Sequence, residues 1–239
     1  MKTAVILPTY NEKENVEKII QHIFDLKIID LEIVVVDDNS PDGTADIVEK
    51  CQTVNSSLHL IRRKGKLGLG TAYLEGFRYA LEKGADYFFE IDADFSHDPK
   101  DISLFLSRVN QCDLVIGSRY IANGKISNWN ASRRFVSSFG NLYARFILKM
   151  AINDLTTGYK CYRREVVEYL LGKEIDAVGY VFQIETTYHA VKRGFRVEEI
   201  PIVFTERTLG KSKFSLAIVG ESFWKVLKLR FADKKSRKK

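Results

Sequence analysis

The 239-residue sequence predicts an α/β protein whose mostly parallel central sheet is flanked by helices. Three observations predict it. Short apolar runs alternate with helix-period segments through the first 81 residues, which is the rhythm of βαβ units. Several of those runs stop in turns rich in Pro, Asp, Asn and Gly, where an α/β sheet presents its strand ends. A hydrophobic share of 45%, with 12% aromatic residues, is enough to bury a sizeable core at this length.

Ala4 to Leu7 reads as the first strand, stopped near Pro8, and Asn15 to Phe24 as the helix after it. Glu32 to Val36 and Thr44 to Cys51 repeat the pair, as do Leu58 to Ile61 and Gly70 to Leu81. Tyr87 to Ile91 and Leu114 to Gly117 add strands, with a helix opened between them by Asp98 and Pro99. After Tyr120, the cluster Gly124, Asn128, Trp129 and Asn130 predicts a long loop over the site. Arg196 to Val203 is expected to be one further strand. No internal repeat or low-complexity linker interrupts the pattern.

Composition narrows the function classes. Cys51, Cys112 and Cys161 are odd in number and widely spaced, which indicates neither a disulfide framework nor a zinc knuckle and fits a reducing cytoplasm. Met1-Lys2-Thr3 runs straight into the first strand, so no signal peptide is expected. The apolar segments Phe135 to Ile152 and Phe214 to Phe231 are interrupted by Arg145, Lys149, Glu221, Lys225 and Lys228 and do not read as membrane spans. The net charge of +6 is concentrated in the tail from Lys234 to Lys239, which could seek anionic lipid, nucleic acid or water.

The chemistry gathers at strand ends. Asp92-Ala93-Asp94 follows Tyr87 to Ile91 and offers two hard oxygen donors that a turn would let approach one divalent cation; a solvated acidic turn fits the triplet taken alone. Pro8 to Glu12 follows the first strand and Asp37 to Thr44 the second, so both would lie beside Asp92. Carboxylates there can accept hydrogen bonds from a base and ribose, and Tyr10 can lie against a base face. Capping explains Asp42 and Thr44, but Asp37 and Asp38 directly after three valines would be costly if buried without partners. Gly68 and Gly70 read equally as a tight turn before a helix and as a phosphate loop. His97 could ligate metal or shuttle protons, but a polar turn histidine is the favoured reading. Phe135, Phe139, Tyr143 and Phe146 recur at helical spacing, for a buried face or for lipid contact.

PTYNE at Pro8 to Glu12, VVVDDNSPDGT at Val34 to Thr44, KLGLGTAYLEGF at Lys66 to Phe77, DADFSHDP at Asp92 to Pro99 and GSRY at Gly117 to Tyr120 resemble the inverting GT-A glycosyltransferases. Trp129 with Arg133, Asp154 to Gly158, Gly179 to Gln183 and Arg207 to Lys213 are similar to the dolichyl-phosphate mannose synthases, a polyprenyl-phosphate branch of that family. The resemblance implies a single GT-A catalytic domain over residues 1–231 and a basic tail at 232–239. Residues 1–120 would form the nucleotide-sugar half, and 121–231 the acceptor half with C-terminal membrane-facing helices.

It further implies transfer of mannose from GDP-mannose to dolichyl or polyprenyl phosphate. Another sugar nucleotide such as UDP-glucose, and an idle nucleotide-binding subunit, remain as alternatives. Pro8, Tyr10, Glu12, Val36, Asp38, Asp92, Ala93, Asp94, Arg119, Arg207 and Lys213 are the implied donor-binding residues. Asp92, Asp94 and Ser96 are the implied contacts for Mg2+ or Mn2+, Ser96 directly or through water. The implied catalytic set is Asp92, Asp94, Arg119, Arg133, Arg207 and Lys213, with Arg134 as an alternative to Arg133. The expected setting is the cytoplasmic face of a membrane, peripherally bound, with an anchoring partner subunit as one route and no nucleic-acid partner.

Overall fold

The computed structural model describes residues 1–129, 131–175, 179–206 and 223–231. Four strands form its parallel half: β1 (Thr3–Thr9), β2 (Leu31–Asp37), β3 (Leu58–Arg62) and β4 (Tyr87–Glu90). They belong to a seven-stranded sheet ordered β3-β2-β1-β4-β7-β5-β8, completed by β5 (Leu114–Ser118), β7 (Lys160–Arg163) and β8 (Val197–Pro201). Every neighbouring pair is parallel except those made by β7, which runs antiparallel between β4 and β5.

Alternation along the strands divides the core into two layers. Val5, Leu7, Ile33 and Val35 face α1 (Val16–Phe24), α2 (Thr44–Gln52) and α4 (Ile102–Val109). Ala4, Ile6, Val34 and Val36 face α3 (Leu69–Glu82), α6 (Arg164–Leu171) and α7 (Gly179–Arg193). Ala144 and Leu148 of α5 (Ala131–Leu148) meet Ile184 and Tyr188 of α7 and Val226 of the helical segment 223–231 in a third, smaller cluster. Proline at the head of a short 3-10 turn, Pro99–Asp101, starts the α4 unit, with Asp98 accepting from the Lys100 amide.

Two expectations are corrected. The stretch after Tyr120 is not all loop, because Lys125–Ser127 forms β6. The expected strand Arg196 to Val203 is two strands, since β9 (Val203–Thr205) leaves the main sheet to pair with β6. The switch occurs at Ile202, whose amide donates to Ser118 while its carbonyl accepts from Lys125. One buried residue thereby joins the two sheets and brings Phe204 over the strand ends.

Candidate active site

Parallel pairing puts the carboxyl ends of β1, β2 and β4 on one edge, and the strand order reverses between β1 and β4, where α/β sheets open a crevice. A cavity of about 360 Å³ lies there. Its walls include Pro8, Tyr10, Glu12, Asp38, Asp92, Ala93, Asp94, Ser96, Arg119 and Arg133. Val36 is different: its side chain is buried in the core with Ile6 and does not line the cavity. Arg207 and Lys213 lie outside the described residues.

The loops after β1 and β2 hold one another. The Asn11 amide donates to Ser40 Oγ, and the Glu12 amide to Thr44 Oγ1, each at 3.0 Å. Asp37 accepts from the Ser40 amide at 3.0 Å and from Thr9 Oγ1 at 3.3 Å. Asp38 takes the Arg63 guanidinium on one oxygen and the Gly68 amide, at 2.9 Å, on the other. The two buried carboxylates are thus paired by the protein itself, which meets the desolvation cost that their sequence position raised. Gly68 has φ 103°, a backbone region that favours glycine, and so turns its amide onto Asp38. Arg63, at the end of β3, belongs to this corner and was not among the sequence candidates. Its place just after an apolar strand was the available signal.

At the end of β4 the chain turns through Phe95, an aromatic residue at φ 60°. The turn places Asp92 at the cavity surface with its side chain 36% exposed, Tyr73 Oη 3.5 Å from Oδ1 and His97 Nδ1 4.0 Å from Oδ2. Asp94 is buried and accepts from the Ser96 amide at 3.0 Å. His97, expected as a polar turn residue, is instead buried against Tyr159 and Phe204 at ring distances of 5.0 and 5.2 Å. Burial pushes its pKa down to about 4, more than the nearby Asp94 charge restores.

Arg119 is held as a fork. Its Nε donates to Asp154 at 2.6 Å, and its Nη2 to the other Asp154 oxygen at 2.7 Å and to Thr156 at 2.8 Å. Burial alone would raise the Asp154 carboxyl, yet the Arg119 charge and hydrogen bonds hold it below its usual value. Arg133 lies 4.3 Å over the Trp129 ring and pairs with Glu206, whereas Arg134 is turned to the Ile126 carbonyl at 2.7 Å. Of these two arginines, Arg133 is the one that lines the cavity. Lys66, 4.3 Å over the Tyr10 ring, and Gln183 of α7 also line it without having been given roles from sequence.

The donor set suits a hard dication. Asp92 and Asp94 offer carboxylate oxygens, and the Ser96 hydroxyl is buried without a hydrogen-bond partner among the described residues. No group of three or more His, Cys, Asp or Glu side chains converges among those residues as a metal cage. Such a site would leave coordination positions for phosphate oxygens and water.

Part of the cavity wall is apolar, made by Val136, Gly140 and Tyr143 of α5 and Phe223 and Val226 of segment 223–231. Phe135, Phe139, Leu142 and Phe146 of α5 are exposed, as is Trp224 of segment 223–231.

Comparison with known proteins agrees with this geometry. The profile of glycosyl transferase family 2 matches residues 4–171. A polyprenol monophosphomannose synthase from Mycolicibacterium smegmatis is 43% identical over 227 residues, 94% of this chain and 85% of that protein. An undecaprenyl-phosphate mannosyltransferase from Micrococcus luteus is 41% identical over 222 residues, 93% and 91% of the two chains. Among solved structures, glucosyl-3-phosphoglycerate synthase from Mycobacterium tuberculosis, in complex with Mn2+, UDP and glucosyl-3-phosphoglycerate, superposes with a TM-score of 0.66 at 19% identity, over 97% of this chain and 79% of that one. A mannosyltransferase from Pyrobaculum calidifontis in complex with GDP-Man and Mn2+ gives 0.63 at 19% identity, over 98% and 64%. The GT-A architecture and the close relatives lead to one assignment: the chain belongs to glycosyl transferase family 2, in its polyprenyl-phosphate mannose synthase branch.

Proposed function

We propose that the chain transfers mannose from GDP-mannose to dolichyl or another polyprenyl phosphate, with inversion at the sugar carbon and release of GDP. One observation carries the reading: a single cavity joins carboxylate-rich strand ends to an apolar wall from α5 and segment 223–231. A nucleotide suits the first and an isoprenoid the second. Tyr10 offers a face to the base, and Glu12 and Asp38 offer acceptors for base and ribose donors. Asp92 and Asp94, with Ser96 beside them, would hold Mg2+ or Mn2+. When bound, that cation supplies Lewis-acid stabilisation of the leaving diphosphate.

The acceptor phosphate is the nucleophile. One of its oxygens forms the new bond to the anomeric carbon, from the face opposite the diphosphate, while the bond to the β-phosphate oxygen breaks and its electron pair leaves with GDP. A phosphomonoester has its second pKa at about 6, so at neutral pH no proton need be removed. Positioning and charge compensation remain, and these fall to Arg133 in the cavity wall and to Arg207 and Lys213. Arg119, locked to Asp154, shapes the cavity wall. His97, buried between two aromatic rings, fits a packing role.

We place the reaction at the cytoplasmic face of a membrane, bound peripherally. No described helix is long and apolar enough to cross a bilayer, and the three cysteines are free. The exposed aromatic edge of α5 stands where a lipid acceptor would enter.

Supplying GDP-mannose, GDP-glucose and UDP-glucose in parallel, each with Mn2+ and a short polyprenyl phosphate, tests the assignment. Mannosyl-phosphate lipid and GDP from GDP-mannose are expected. Preference for UDP-glucose would replace the donor, and nucleotide binding with no transfer from any donor would replace the enzyme by a binding subunit.

A further inference from the structure

Gln183 stands out among the cavity walls. It is buried on α7, lines the cavity, and neither its amide nitrogen nor its carbonyl oxygen has a hydrogen-bond partner among the described residues. Buried amides are seldom left so. The side chain stands beside the buried Glu90 carboxylate and helps hold that group's pKa down against burial. Its backbone is fixed from behind, where Lys160 Nζ donates to the Gln183 carbonyl at 2.8 Å and Thr187 Oγ1 does so at 3.0 Å.

Opposite it, Gly158 keeps a space open. A Cβ added there would lie 3.6 Å from both Asp92 Oδ2 and Gln183 Nε2, so one methyl-sized gap separates the exposed carboxylate from the unpartnered amide.

We propose that Gln183 is the hexose-recognition residue, its carboxamide binding hydroxyls of the transferred sugar across the gap that Gly158 leaves beside Asp92. This rests on the assigned sugar-nucleotide reaction. In that reaction the diphosphate lies at Asp92, and the sugar, bonded to it, must lie within one residue's reach. An amide presents two donors and one acceptor in a plane, and a sugar hydroxyl is both donor and acceptor, so the pairing satisfies atoms that the fold leaves unsatisfied. The apolar wall offers no such partner.

The test separates the sugar from the nucleotide. Affinities for GDP and for GDP-mannose are measured by calorimetry, with Mn2+, for the parent, Gln183→Met and Gly158→Ala. The contacts at Gly158 are ordinary ones, so its alanine variant is expected to fold. Both variants should bind GDP within about twofold of the parent, while GDP-mannose weakens about tenfold, the worth of one or two hydrogen bonds. The parent's own preference among donors tests the assigned reaction; the difference between parent and variants tests Gln183. Equal weakening of GDP and GDP-mannose, or parental GDP-mannose affinity in either variant, would overturn the proposal.

Discussion

Asp94 is the residue at which geometry and chemistry are most easily separated. Its Oδ1 receives the Ser96 amide, a bond that the carbonyl oxygen of an asparagine would also accept, so Asp94→Asn should keep the turn. What it loses is charge. An amide oxygen is a weaker ligand for a hard dication, and Lewis-acid stabilisation of a leaving diphosphate is worth several kcal/mol. We therefore expect the variant to melt within a few degrees of the parent and to lose roughly hundredfold or more in kcat. Excess chelator should silence the parent to the same extent. A folded Asp94→Asn enzyme at parental speed, or a parent indifferent to chelator, would contradict the proposed metal contacts.

At the scale of elements, α3 shows how closely the helices seat the strand ends. Gly76 faces the sheet, where an added Cβ would come 2.4 Å from Ile6 Cγ2 and 3.3 Å from Val36 Cγ2, both on stiff, buried, branched side chains. Helix propensity favours alanine over glycine by about 1 kcal/mol, but overpacking a dense core costs about 1–3. The clash should win. Gly76→Ala is expected to lower the melting temperature, whereas Gly140→Ala on α5, with nothing within 4 Å of its Cβ, should hold or raise it. Thermal melts of the two variants decide the matter, and a stabilised Gly76→Ala would mean that α3 stands off the sheet. The elements legible in the sequence are those with local signals: uniform apolar runs such as Val34-Val35-Val36, and α4 with its proline start. β7 was not legible, because Lys160 and Arg163 break its apolar pattern and its partners β4 and β5 are distant in sequence. Nor was the division of β8 from β9, since Ile202 is as apolar as its neighbours and only the tertiary switch distinguishes it. In both cases non-local pairing overrode local pattern.

For the whole molecule, the strand-end logic brought Tyr10, Glu12, Asp38 and the Asp92 turn together, because parallel topology fixes which ends share an edge. Alternation turns the Val36 side chain into the core, and strand-end logic could not see that Arg63 and Arg119 neutralise Asp38 and Asp154. Those pairings depend on chain crossings that spacing does not encode. The α5 stripe does not form the buried face of its helix: Phe135, Phe139 and Phe146 are 71%, 50% and 80% exposed, and the helix buries Ala144 and Leu148 instead. Phe139 stacks on Phe223 and Tyr143 tilts against it, so this exposed edge and segment 223–231 are continuous through aromatic contacts next to the apolar cavity wall. Exposed aromatics of this kind are costly in water and suit a bilayer interface, where each buried phenylalanine contributes up to about 1.5–3 kcal/mol. We predict that the protein floats with anionic vesicles at low salt and is partly released by added salt. The double variant Phe135→Glu with Phe146→Glu should bind them at least about tenfold more weakly while retaining the parental melting temperature and GDP affinity. Since both side chains already face solvent, a loss confined to vesicle binding would assign the contact to this face. Parental flotation in the double variant would move the membrane contact off α5, and a parent that never floats would pass anchoring to a partner subunit.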